Sequence, residues 1–70
     1  MASSRLIPLA SLEALMKKAG ASRVSQDAKK ALKDVLEQKG FEITKDAIEL
    51  AKHARRKTVR GKDVLLAAKH

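Results

Sequence analysis

Seventy residues with sixteen Lys+Arg against eight Asp+Glu give a formal net charge of +8, which calls for a polyanionic partner: nucleic acid or an anionic membrane face. Cysteine is absent, which excludes a disulfide staple, thiol catalysis and a cysteine-ligated zinc site. Phe41 is the single aromatic residue, too few for a platform on which successive bases stack. No apolar run approaches the roughly 18 residues of a membrane span, and Met1–Pro8 lacks the long apolar stretch of a secretory signal. A soluble cytoplasmic protein is expected. Apolar residues make up 44% of the chain, too many for a simple disordered basic tail. Below about 70–80 residues a chain rarely builds a sufficient core alone; with neither disulfide nor metal in prospect, association with a second chain is expected.

Leu9, Leu12, Leu15, Met16 and Ala19 fall on one face at helical spacing, with Pro8 suited to a helix start and Gly20 to a helix end. This predicts a short amphipathic helix over Leu9–Ala19. A connection follows, in which Ser25 suits an N-cap and Asp27 the first turn of the next helix. From Ser25 to Ala54 the apolar phase is kept through Ala28, Ala31, Leu32, Val35, Leu36, Ile43, Ala47, Leu50, Ala51 and Ala54, broken at its centre by Lys39 and Gly40. Gly40 costs about 1 kcal/mol relative to Ala inside a helix and could divide the segment. No further turn signal accompanies it and the stripe resumes in register, so one long helix is expected. A stripe of that length exceeds what two short helices can cover, which again implies a partner. Next, six of the eleven residues from Lys52 to Lys62 are basic and none is acidic. Val64, Leu65, Ala67 and Ala68 then form a last short helix with Asp63 near its N-terminus, where a carboxylate is favoured. The layout is all-α: short, long, short.

Gly20-Ala21-Ser22-Arg23-Val24-Ser25, Ala47-Ile48-Glu49-Leu50-Ala51-Lys52-His53-Ala54, Arg56-Lys57-Thr58-Val59 and Asp63-Val64 resemble the archaeal histones in order and spacing, without a gap from about Pro8 to Lys69. The resemblance implies a histone-fold domain over residues 8–70 after a short extension, 1–7, with two chains intertwined around crossed long helices. It implies an architectural chromatin protein on the chromosome of the cytoplasm (the nucleoid). Homodimers would wrap double-stranded DNA without sequence specificity and join into nucleosome-like particles or filaments. Other histone paralogues are conceivable partners; no cofactor, membrane or metal is implied. Arg23 matches the first-loop arginine that enters the minor groove, where an arginine responds to negative potential rather than to a base pattern. Thr58 matches the threonine beside it and Lys57 a phosphate contact; Ser22, Arg60 and Lys17 complete the expected DNA-binding set. Arg56 and Asp63 match a within-chain ion pair. His53, Asp63, Leu50 and Leu66 match the surface between dimers, where mild acid would strengthen a His53–carboxylate contact. Gly20 matches a small residue placed where successive turns of the wrap approach.

The chain departs from that pattern in several places. Ala14 stands where many relatives carry a basic residue, with Lys17 and Lys18 as partial substitutes. Arg55 replaces a glycine expected in a left-handed helix cap, Gly61-Lys62 replaces a more helix-favouring pair, and Lys39 stands where a large apolar residue fills the dimer core. These departures imply a modest stability reserve. Only Met1–Arg5 precede the fold, so tail-based signalling is not expected.

Catalytic readings are weak. His53 has only His70 as a second histidine and no ligand set at zinc spacing. Ser25 has no paired base, Asp46 and Glu49 sit with Lys45 and Lys52 as a solvated face, and the three glycines are isolated. No enzyme is expected. Two competitors remain: a histone-fold subunit of a heterodimeric transcription factor, and a basic amphipathic membrane-surface protein. Light scattering of the pure chain tests the first, and circular dichroism without lipid the second.

Overall fold

A computed structural model describes residues 6–69; residues 1–5 of the expected N-terminal extension, and His70, lie outside that span. Three helices and no strand occur among the described residues: α1 (Leu9–Lys18), α2 (Gln26–His53) and α3 (Gly61–Ala68). The all-α, short–long–short order is that expected. Helix α2 runs unbroken through Lys39 and Gly40 for 28 residues, about 42 Å at 1.5 Å per residue. Helix α3, at eight residues, is short. The helices fall into two compact units, one ending at Gln38 and the other beginning at Lys39.

In the first unit, α1 starts after Pro8, whose extended backbone (φ −64°, ψ 140°) leads into the helix. Its C-terminus closes in a Schellman turn: Gly20 N–H donates to Lys17 C=O and Ala21 N–H to Met16 C=O, both at 3.0 Å, with Gly20 at φ +118°. Helix α2 then begins on Ser25, whose Oγ accepts from Ala28 N–H at 3.2 Å and donates to Asp27 Oδ1 at 2.6 Å. Leu12 is the buried large apolar side chain of α1. Lys33 and Glu37, a turn apart on α2, are also buried and meet at 2.6 Å; Ile7 N–H donates to the same Glu37 Oε2 at 3.0 Å.

The second unit buries small residues: Ala47 and Ala51 on α2, Ala67 on α3. Helix α2 ends in another Schellman turn, Arg55 N–H to Lys52 C=O at 2.8 Å and Arg56 N–H to Ala51 C=O at 2.9 Å. Here the left-handed residue is Arg55, at φ +59°. At the start of α3 the Arg60 N–H donates to Asp63 Oδ2 at 2.8 Å. Arginine has no side-chain acceptor, so only this half of a capping box forms. Among the described residues Leu12 is the only large apolar side chain that is buried, while Val35, Leu65 and Leu66 are 54%, 69% and 47% exposed. Folding of so small a core offsets little of the chain's conformational entropy, and the exposed apolar faces provide the area a partner would bury.

Candidate nucleic-acid interface

Two loops border α2, the first with one basic residue and the second with four. Loop 1 (residues 19–25) leads into it and presents Ser22 and Arg23, both exposed; loop 2 (residues 54–60) leaves it and presents Lys57, Thr58 and Arg60, also exposed. The Schellman turn before each loop stops its helix within one residue, so the loop side chains follow directly on a fixed backbone.

Loop 2 is tied down by one side chain. Arg56 donates through Nη1 to Thr58 C=O (3.0 Å) and to Asp63 Oδ2 (3.0 Å), and through Nη2 to Asp63 Oδ1 (2.9 Å). Two parallel bonds between a planar guanidinium and a carboxylate fix direction as well as distance. The Asp63 carboxylate, 5% exposed, therefore holds both Arg56 and the Arg60 N–H. The Arg56 guanidinium, then the Arg60 N–H, hold its pKa down at about 2, and Asp63 in turn raises that of Arg56. Asp63 thus pins α3's first turn to loop 2 while leaving Lys57, Thr58 and Arg60 free to face outward.

Among the described residues, loop 1 has no such brace. On α1, Lys17 reaches Glu13 at 3.4 Å, and Lys29 of α2 reaches the same carboxylate at 3.2 Å. Both lysines lower the Glu13 pKa, Lys29 most. Lys17, expected to face phosphate, thus shares an acidic neighbour. Gly20 is exposed, and a Cβ there would meet no atom within 4 Å; its φ, not its surroundings, requires glycine.

His53 is exposed at the end of α2, Leu50 is half-buried and Leu66 exposed, whereas Asp63 is covered within its own chain. Asp63 thus serves the within-chain pair first. Glu49 meets Lys52 at 3.8 Å on an exposed face, and Lys45 lies over the Phe41 ring, 5.6 Å from its centroid. Among the described residues no three acidic or histidine side chains gather as a metal site, and no helix is long and apolar enough to cross a membrane.

Glu13, Lys29, Lys33 and Glu37 escape a reading of the sequence. The Lys33–Glu37 pair has i,i+4 spacing, the one signal available; its burial has none. Glu13–Lys29 spans sixteen residues and is set by packing.

A family model described as histone-like transcription factor (CBF/NF-Y) and archaeal histone matches residues 5–68. The chain is 52% identical over 63 residues to one of the subunits of archaeal histone HAN1 from Thermococcus zilligii, covering 90% of this chain and 94% of that protein. It is 46% identical over 61 residues to probable archaeal histone 3 of Methanocaldococcus jannaschii, covering 87% and 91%. The chain belongs to the histone-fold family that unites archaeal histones with the CBF/NF-Y-like transcription factors.

Proposed function

We propose that this protein is an architectural DNA-packaging protein of the chromosome. It pairs as a homodimer through α2 and binds double-stranded DNA by phosphate contacts and groove shape. The observation that carries this is loop 2: a bidentate Arg56–Asp63 clamp beneath three exposed residues of a basic run. Head-to-tail pairing of the kind the resemblance implies would bring loop 1 of one chain beside loop 2 of its partner. Arg23 and Thr58 would then meet one minor groove, while Lys57, Arg60, Ser22 and Lys17 meet the flanking phosphates. Arginine in an inward-facing minor groove needs no base pattern, which suits wrapping of arbitrary sequence. Dimers would extend along DNA through His53, Leu50, Leu66 and Asp63, whose carboxylate is already held by Arg56 and the Arg60 N–H within its own chain.

Nuclease digestion of saturated complexes on random-sequence DNA tests the reading. A ladder of regularly spaced protected lengths is expected; unprotected DNA, or a footprint at one sequence only, overturns it. Each neutralised phosphate contributes about −0.9 to the log–log salt slope, so Lys57→Ala should reduce the slope by about one unit on every sequence. The matching family's transcription-factor members support a second reading, one half of a heterodimeric regulator. It requires sequence-selective binding that appears only when an unlike chain is added.

A further inference from the structure

Helix α1 holds one acidic residue, Glu13, and two basic ones, Lys17 and Lys18, both in its last turn. With Ala at position 14, those two lysines are the only cations that α1 offers to phosphate. Glu13 stands four residues before Lys17, the order in which a carboxylate and an ammonium pair best along a helix. Its two oxygens are shared: Oε2 meets Lys17 Nζ at 3.4 Å, and Oε1 accepts from Lys29 Nζ at 3.2 Å. One carboxylate thus links the two helices that flank loop 1 and holds a cation from each.

The two cations differ in what else they can reach. The Lys29 side chain is 12% exposed and that of Lys17 52%. Lys29 is confined to Glu13 by its surroundings, whereas Lys17 can turn to an anion arriving from solution. Lys29 first, and then Lys17, hold the Glu13 pKa below its ordinary value of 4.5, so the carboxylate is charged at neutral pH. A phosphate that comes within reach of Lys17 therefore meets Glu13 twice over, as a rival for the ammonium and as a like charge. An exposed ion pair is weak, so a phosphate can displace it, but the exchange lowers the net gain from the contact.

We propose that Glu13 is an internal counter-ion that competes with DNA phosphate for Lys17, so that α1 reaches the duplex only by exchanging one anion for another. The proposal rests on the duplex binding proposed above. Lys18 is its control: exposed, next to Lys17 in the chain, and with no ion-pair or hydrogen-bonding partner for its side chain among the described residues. Equilibrium binding to random-sequence duplex DNA over a range of salt is the test. Releasing an exposed pair of this spacing is worth about twofold, so with two copies per dimer Glu13→Gln should bind about fourfold more tightly. Its log–log salt slope should steepen by up to about 0.9 for each Lys17 gained. Lys17→Met should cost more in the Glu13→Gln background than in the wild type, while Lys18→Met costs the same in both. Thermal unfolding at one chain concentration checks that α1 holds, and Glu13→Ala, which favours helix more strongly, is the second variant should Gln loosen it. Tighter binding with no coupling between positions 13 and 17 reduces Glu13 to a repelling charge and overturns the exchange. Weaker binding by a folded Glu13→Gln overturns it as well, and makes Glu13 the residue that aims Lys17 at the duplex. A wild type that ignores duplex DNA, or binds it without salt dependence, overturns the duplex reading and the proposal with it.

Discussion

The two units of this chain solve one problem with different chemistry. Each joins a short helix to part of α2, ends a helix in a Schellman turn and holds one covered ion pair. In the first unit the turn residue is Gly20, and the pair is Lys33–Glu37 on a single helix, holding the Ile7 N–H. In the second the turn residue is Arg55, and the pair joins loop 2 to α3. The first pair holds the Ile7 N–H just before α1 and, among the described residues, does not touch loop 1. The second braces the loop proposed to meet DNA. Where the ion pair sits decides which loop it braces.

The comparison breaks most severely at Lys33–Glu37. Glu37→Ala leaves a buried ammonium without its carboxylate, a change that costs about 3–5 kcal/mol when a buried pair loses one member. The double change Lys33→Met, Glu37→Leu removes both charges and should be near neutral, less the acceptor lost to Ile7 N–H. Urea unfolding at fixed chain concentration measures both. A single variant as stable as the double would mean that the pair is hydrated.

Next in size is Asp63. Its pKa lies at about 2, below the ordinary carboxylate value, so the folded state binds its proton later than the unfolded chain does. The stability it contributes is complete above the ordinary value near 3.8 and is lost as pH falls toward 2. Asp63→Asn should weaken the fold at neutral pH, and the gap from wild type should narrow across that acid window. A gap constant from neutrality down to pH 2 would show that the carboxylate's charge is not what holds Arg56.

Chain periodicity revealed the three helices, the Ser25 cap and the continuity of α2, because burial on one face imposes a repeat that survives into sequence. Residue resemblance brought Arg56 and Asp63 together, since bidentate geometry demands particular side chains at a particular separation. The Lys33–Glu37 pair was illegible for the opposite reason. Both residues are ordinary on a solvated helix face, and nothing in their spacing announces their burial or the Ile7 N–H that meets Glu37 from thirty residues away. Gly20 was legible as a helix end, and its positive φ gives the reason; its place between turns of a wrap came only from the resemblance.

That distinction reshapes the test of Gly20. At φ +118° any side chain is strained although space is open around it, so Gly20→Ala should cost about 1–2 kcal/mol. A bulky Gly20→Asp confounds this cost with any obstruction between turns of a DNA wrap. The informative quantity is Asp minus Ala: equal stability of the two variants, with a ladder shortened only by Asp, supports stacking at this point. Ladders shortened equally by both assign the effect to the backbone.

Arg55 occupies the equivalent turn at φ +59°, inside the left-handed region that a non-glycine residue reaches at a cost of about 1–2 kcal/mol. Arg55→Gly removes that cost but adds back roughly 0.5–1 kcal/mol of unfolded-chain entropy, leaving a net gain of about 0.5 kcal/mol, the smallest effect expected here. Arg55 is exposed at the head of loop 2, where attraction to phosphate would offset the strain of its backbone. The variant should therefore melt slightly higher and bind DNA more weakly, with the log–log salt slope reduced by about 0.9 if Arg55 neutralises one phosphate. A higher melting point with an unchanged slope would leave the strain at this turn without an electrostatic reason, and would reduce the contrast between the two turns to a difference in backbone cost alone.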